Sequence, residues 1–200
     1  KGSPKLYTRG NGVVGQDVSH LLKYLNLPRR EDLVVRGEFI ISRVNFEEHY
    51  KESNANPRNL VAGIVNKKKP TKEELKYLEF VVYEIIEPVM KPSEQLTMLE
   101  SLQFNVVLNG VEKTLTNDLL SARLVEGRTQ YQYEMDGIVV YHDKIYDRSS
   151  GNPDHAFAFK MVLSEQMAEA KVLDVIWSPS KDGYLKPRVR IEPIELGGVN

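Results

Sequence analysis

Cysteine is absent from this 200-residue chain. No disulfide can close, and no thiolate metal site or thiolate nucleophile is available. An intracellular, cytoplasmic home is the default expectation for such a chain. Long apolar runs are missing too. None approaches the ~20 residues that a membrane span needs, and no signal peptide opens the sequence. Charge of neither sign is in excess, with 27 Lys and Arg against 28 Asp and Glu. Bulk charge therefore argues neither for nor against nucleic acid, and any basic face has to be local. The histidines His20, His49, His142 and His155 are scattered without metal-ligand spacing, so no zinc site is expected. The single tryptophan, Trp177, is assigned to a core. An initiator methionine is lacking, and Lys1 to Lys5 read as a turn. The chain is expected to be the interior of a longer protein.

What is present is the composition of an ordinary globular protein with one full core and part of a second. The organising stretch is Glu134 to Lys160. Asp136-Gly137 stands at the mouth of the apolar run Ile138 to Tyr141, which predicts a buried strand. Phe157-Ala158-Phe159 predicts a second strand that ends on Lys160. If adjacent, the two bring a carboxylate and a fixed cation to one pocket. Taken alone, a plain turn and a solvated lysine explain these residues as well.

Three upstream segments carry further signals. Thr8-Arg9-Gly10-Asn11-Gly12…Gly15-Gln16-Asp17 follows a short predicted strand, Leu6 to Arg9. Its glycines permit positive φ or close approach to a ligand. A surface turn with an exposed arginine is the bland account, and glycine spacing alone favours it. Asp17 is placed as the cap of a helix over Val18 to Leu25. Leu33 to Ile41 is a β-branched strand broken by Arg36-Gly37-Glu38, either a close approach of a backbone or ligand or an edge with an Arg–Glu pair. Ser42 caps the next helix. Asn56 caps another, with Pro57 at its first position. Arg58 then opposes the dipole in the first turn, as an anion-binding helix start would. Ala62-Gly63 is expected to allow close helix packing, and Lys67 to Lys69 read first as a solvated helix end.

The rest alternates. Thr71 to Glu74 is a capping box. Leu78 to Ile86 is a long strand, placed centrally in its sheet, and Pro92 opens a helix that runs through Leu102. Asn109-Gly110 signals a hairpin. Thr116 to Val125 is helical, with Arg128 after it. Ser164 to Ala170 forms a short bridge, and Lys171 to Pro193 forms an antiparallel pair with Lys186, Arg188 and Arg190 on alternating positions. A domain boundary is placed near Leu163.

Together, Thr8-Arg9-Gly10, Arg36-Gly37-Glu38, Asn56-Pro57-Arg58-Asn59, Asp136-Gly137 and Ala158-Phe159-Lys160, in this order, resemble the bacterial-type NAD-dependent DNA ligases. The Arg-Gly-Glu, Asp-Gly and lysine motifs are shared with ATP-dependent ligases and capping enzymes. Thr-Arg-Gly and Asn-Pro-Arg-Asn are particular to the NAD type. The tail Gly183 to Val199 resembles the start of that family's oligonucleotide-binding domain. Compact loops and missing cysteines hint at a divergent branch, such as one carried by a large DNA virus, whose setting would be the host cytoplasm.

The resemblance implies an α+β nucleotidyltransferase fold over 1–163, with antiparallel sheets and flanking helices. The first strands of an OB-fold barrel would follow over 164–200. It implies a monomer that uses NAD and Mg2+ to seal nicked double-stranded DNA in replication and repair. Arg9 would contact nucleotide or nick phosphate, and Glu38 the adenosine ribose. Arg58 and Arg128 would stabilise charge around the departing nicotinamide mononucleotide or the nick. Asp136 would organise Mg2+ and the pocket, and Lys160 would neutralise the α-phosphate. Two family cations are missing, at Asn66 and Tyr141, with Lys67 and Lys144 as candidate replacements. The Lys-x-Asp-Gly segment that holds the nucleophilic lysine is not in this chain, so these residues alone are not expected to adenylate themselves. An ATP-dependent enzyme of the same chemistry, or a non-catalytic nucleic-acid-binding module, are the alternatives.

Overall fold

The computed structural model describes residues 3–28, 30–148, 153–161, 168–181 and 183–194. The chain divides into two compact units, Lys1–Lys160 and Met161–Asn200.

The first unit opens with a loop whose ends meet through a bridge between Tyr7 and Asp17, where the sequence predicts a strand over Leu6 to Arg9. The helix expected over Val18 to Leu25 is a shorter 3-10 helix, Ser19–Tyr24. Asp17 accepts the Ser19 N–H at 2.9 Å, so it closes an Asx turn ahead of the helix instead of capping it. Strand β1, Val34–Ile40, shifts register between Arg36 and Gly37. A Cβ on Gly37 would stand 2.4 Å from the Val81 carbonyl oxygen. Close backbone approach, one of the two readings of the break, accounts for glycine there.

Helix α1, Arg43–His49, is capped by Ser42, which accepts the Asn45 N–H. Helix α2, Pro57–Asn66, has Asn56 as cap and Pro57 at its first position. Ala62 and Gly63 face solvent, which corrects their assignment to close packing. The short α3, Lys72–Leu75, carries the capping box of Thr71 and Glu74. Leu60, Val61, Ile64 and Val65 of α2 meet Leu21, Ile41, Phe46, Leu75 and Leu78 in the main core.

Strand β2, Glu79–Glu87, runs antiparallel to β1. On its other side Val82 bridges to Val106 in parallel. The Val106 segment therefore borders β2 and does not form the hairpin that Asn109-Gly110 signals. Helix α4, Pro92–Ser101, places Leu99 with Val82 and Ile85 in a second core cluster. Helix α5, Asn117–Gln130, is capped by Thr116 and extends one turn beyond expectation, which puts Arg128 inside it. Strands β3, Ile138–Tyr141, and β4, Ala156–Phe159, form an antiparallel pair. Val139 and Tyr141 of β3 are exposed, so that strand is half-buried and not the fully buried one predicted.

The second unit is an antiparallel pair, β5, Val172–Pro179, and β6, Leu185–Ile191. Trp177 is 61% exposed there, which overturns its assignment to a core. The predicted boundary at Leu163, the predicted bridge from Ser164 to Met167 and the whole tail beyond Ile194 lie outside the described residues.

Candidate active site

Asp136 and Lys160 meet as the sequence predicts. Ile138 pairs with Phe159, so the residues flanking that end of the ladder converge. The Lys160 ammonium lies 3.3 Å from a carboxylate oxygen of Asp136. The approach depends on Gly137, whose Cβ would meet the Phe159 carbonyl oxygen at 2.6 Å and Lys160 Cγ at 2.8 Å. Both charged groups are exposed, 63% and 80%. A pair in high dielectric gives little net stabilisation. Lys160 can therefore exchange Asp136 for a phosphate at small cost.

Arg128 stands behind this pair. Its guanidinium donates to the Met135 carbonyl and the Asp136 carbonyl, each at 3.1 Å. Met135 itself packs onto α5 at Gly127, where a Cβ would stand 2.6 Å from the Met135 sulfur. The C-terminal turn of α5 is held in turn by Arg43. Its guanidinium donates to the carbonyls of Arg128 (2.8 Å), Thr129 (3.2 Å) and Tyr131. Those carbonyls are orphans of the helix end, and a cation there also favours the dipole. Arg43 was missed in the sequence, yet a signal existed. It occupies the first position of α1, against that helix's dipole, which is the same cue that singled out Arg58.

The other expected site residues lie apart. Arg9 is exposed on a loop around an open depression of about 420 Å³, lined by Tyr7, Thr8 and Gly12 to Gly15. Asn11 organises this loop by accepting the N–H groups of Val13 and Val14. Arg58 is exposed on the first turn of α2. Glu38 is exposed on β1. Among the described residues, none of these three makes a hydrogen bond or ion pair to Asp136 or Lys160.

A second charged group joins the two sheets. Arg36 donates to one oxygen of Glu84 at 2.9 Å and Arg148 to the other at 2.5 Å. Arg36 thus pairs with Glu84 and not with its sequence neighbour Glu38. Burial pushes the Tyr83 phenol upward; Arg36 opposes this, and Glu38 and Glu84 add to it. Tyr141 is likewise raised by burial and by Glu84, with Arg36 and Arg148 opposing. Tyr141 therefore stands among cations supplied by other residues. Lys67, the candidate replacement beside Asn66, is paired with Glu74. That pair and the Thr71 N–H hold the Glu74 carboxyl below its ordinary range. His155 stacks on Tyr146 at 3.9 Å, consistent with a packing role.

No three acidic or histidine side chains cluster as metal ligands among the described residues. What these side chains can do themselves is electrostatic. An ammonium held beside a braced backbone suits a reaction that concentrates negative charge.

The first unit is thus an α+β domain with an exposed Asp–Lys pair at the mouth of a short antiparallel ladder. The family comparison is more particular: the model for the NAD-dependent DNA ligase adenylation domain matches residues 4–162, and the chain belongs to that family. It is 40% identical over 205 residues to the DNA ligase of Acanthamoeba polyphaga mimivirus, covering 98% of this chain and 32% of the relative. It is 30% identical over 228 residues to the DNA ligase of Aquifex aeolicus (strain VF5), covering 96% and 31%. Against the DNA ligase of Clostridioides difficile (strain 630) the figures are 30% over 217 residues, 96% and 32%. The chain thus spans about a third of the length of these relatives. Family membership favours the NAD type over the ATP-dependent and non-catalytic alternatives.

Proposed function

We propose that this chain is the adenylate-handling core of a ligase that seals nicks in double-stranded DNA at the expense of NAD. The observation that carries it is the Asp136–Lys160 pair, set at the mouth of β3 and β4 within a chain of the NAD-dependent adenylation family. NAD is consumed as a substrate. An enzyme lysine amine attacks the α-phosphorus, and nicotinamide mononucleotide leaves. The AMP passes to the 5′-phosphate at the nick, and the 3′-hydroxyl then displaces it to form the phosphodiester. No lysine here stands in a Lys-x-Asp-Gly context, so the nucleophile is assigned to sequence preceding Lys1.

Within that chemistry Lys160 neutralises the α-phosphate. Mg2+, when bound, adds positive charge at the phosphates, and Asp136 is the residue that would touch it. Arg128 positions Asp136 through the backbone of Met135 and Asp136. Arg9 and Arg58 contact phosphates of nucleotide, leaving group or nick, and Glu38 the ribose. The adenylation domain is placed at 1–163 and the start of an OB-fold barrel at 164–200. The β5–β6 pair and the alternating Lys186, Arg188 and Arg190 support the latter. A cytoplasmic monomer completes the proposal.

The test is single-turnover adenylation with radiolabelled NAD, run with the Lys-x-Asp-Gly segment joined ahead of Lys1. Lys160→Ala should raise the barrier by about 2–4 kcal/mol, the range for one preorganised charge partner. A rate within a few-fold of wild type would remove Lys160 from the site. Protein-bound AMP mapped to a lysine within residues 1–200 would overturn the assignment of the nucleophile.

A further inference from the structure

The β3–β4 pair carries both Asp136 and Lys160, yet its packing on other regular elements is sparse. Side chains therefore decide where it sits. One end is braced by α5, through Arg128 and the Met135–Gly127 contact. The other end reaches α4. Asp143, just past β3, accepts the Ser93 N–H through one oxygen at 2.8 Å and the Ser93 hydroxyl through the other at 2.8 Å. Lys91 lies 3.8 Å from the same carboxylate. Helix α4 has no cap of its own: Lys91 occupies the cap position without a side-chain bond. Orphan N–H groups at a helix start are ordinarily met by a local Ser, Thr, Asp or Asn. Here a residue fifty positions away supplies the oxygen.

We infer that Asp143 is a positioning residue, a helix cap delivered from the β3–β4 segment that fixes the far end of the strand pair bearing Asp136 and Lys160. Its role in catalysis rests on the ligase proposal above; its role in holding the strand pair does not. Opening the Asp143–Ser93 contact loosens that end of β3, leaving the Arg148–Glu84 pair to tie the segment to β2, while Arg128 still holds the other end. The pair then pivots, and Lys160 loses its fixed place relative to the body of the unit.

Hydrogen exchange on the 200-residue chain tests the holding role directly. In Asp143→Ala, the amides of β3 and of the first turn of α4 should both exchange about fivefold faster, the factor that matches loss of a typical helix cap. Those of β1 and β2 should not change. Asp143→Asn keeps an oxygen for the Ser93 N–H and should restore most of the protection. Acceleration confined to Ser93, Glu94 and Gln95 would mean a local cap only and would overturn the inference. With the Lys-x-Asp-Gly segment joined, Asp143→Ala should lower kcat for adenylation about fivefold at unchanged KM for NAD. The effect should vanish in a Lys160→Ala background. An unchanged kcat alongside a loosened β3 would refute the positioning role. A wild-type protein that takes no AMP would refute the ligase proposal, while the exchange result would still decide whether Asp143 holds the strand pair.

Discussion

Replacing Gly137 by alanine tests whether Asp136 and Lys160 are held together by backbone proximity. The added Cβ would sit 2.6 Å from the Phe159 carbonyl oxygen and 2.8 Å from Lys160 Cγ. The lysine chain can swing aside, but the carbonyl belongs to the β3–β4 ladder at the Ile138–Phe159 pair. The ladder must open there by several tenths of an ångström. Overpacking of this kind costs about 1–3 kcal/mol. For a unit of this size each kcal/mol lowers Tm by about 2–4 °C, so a fall of about 2–12 °C is expected. The functional loss should be larger, since a misplacement on the order of 1 Å can cost about a hundredfold in rate. Gly63→Ala is the control. Nothing lies within 4 Å of its added Cβ, and it sits inside α2. It should stabilise by about 0.5–1 kcal/mol through helix propensity. Urea melts of both variants and single-turnover adenylation read the outcome. Gly137→Ala melting within about 0.5 kcal/mol of wild type, with an unchanged rate, would refute the reasoning.

Other outcomes follow from the same geometry. Arg43→Ala leaves the carbonyls of Arg128, Thr129 and Tyr131 without their donor. It should cost about 1.5–3 kcal/mol in a denaturant melt, and Arg43→Lys should recover little, because an ammonium cannot span the fork. Tyr133 is 1% exposed and accepts the Asn105 amide at 2.8 Å. Burial pushes its phenol up to about 12 from 10.0. A raised folded pKa means stability that is full below pH 10 and lost as the pH rises toward about 12. Tyr133→Phe should flatten that alkaline loss in Tm measured from pH 9 upward. Glu74 runs the other way: its carboxyl is lowered by Lys67 and Thr71. Its contribution is present above its unfolded value of 4.5 and lost as pH falls through the lower folded one. Glu74→Gln should remove that part of the acid-side slope of Tm.

The sequence by itself determined the local grammar and one site. Ser42, Asn56, Thr71 and Thr116 start helices because their short oxygens reach an N–H three positions on, a contact that needs no tertiary partner. The Asp136–Lys160 pair was legible because two short strands joined by a loop have few ways to pair. Non-local geometry decided the rest. Asn109-Gly110 carries a turn signal, but Val106 found a partner in Val82. Arg128 reads only as a cation that follows a helix, yet it turns inward onto backbone carbonyls. Arg43, Asp143 and Glu84 satisfy groups 85, 50 and 64 positions away. Charge and hydrogen-bonding capacity are written in the residue type; which orphan group receives them is fixed only when helix ends and strand edges have been brought within about 3 Å.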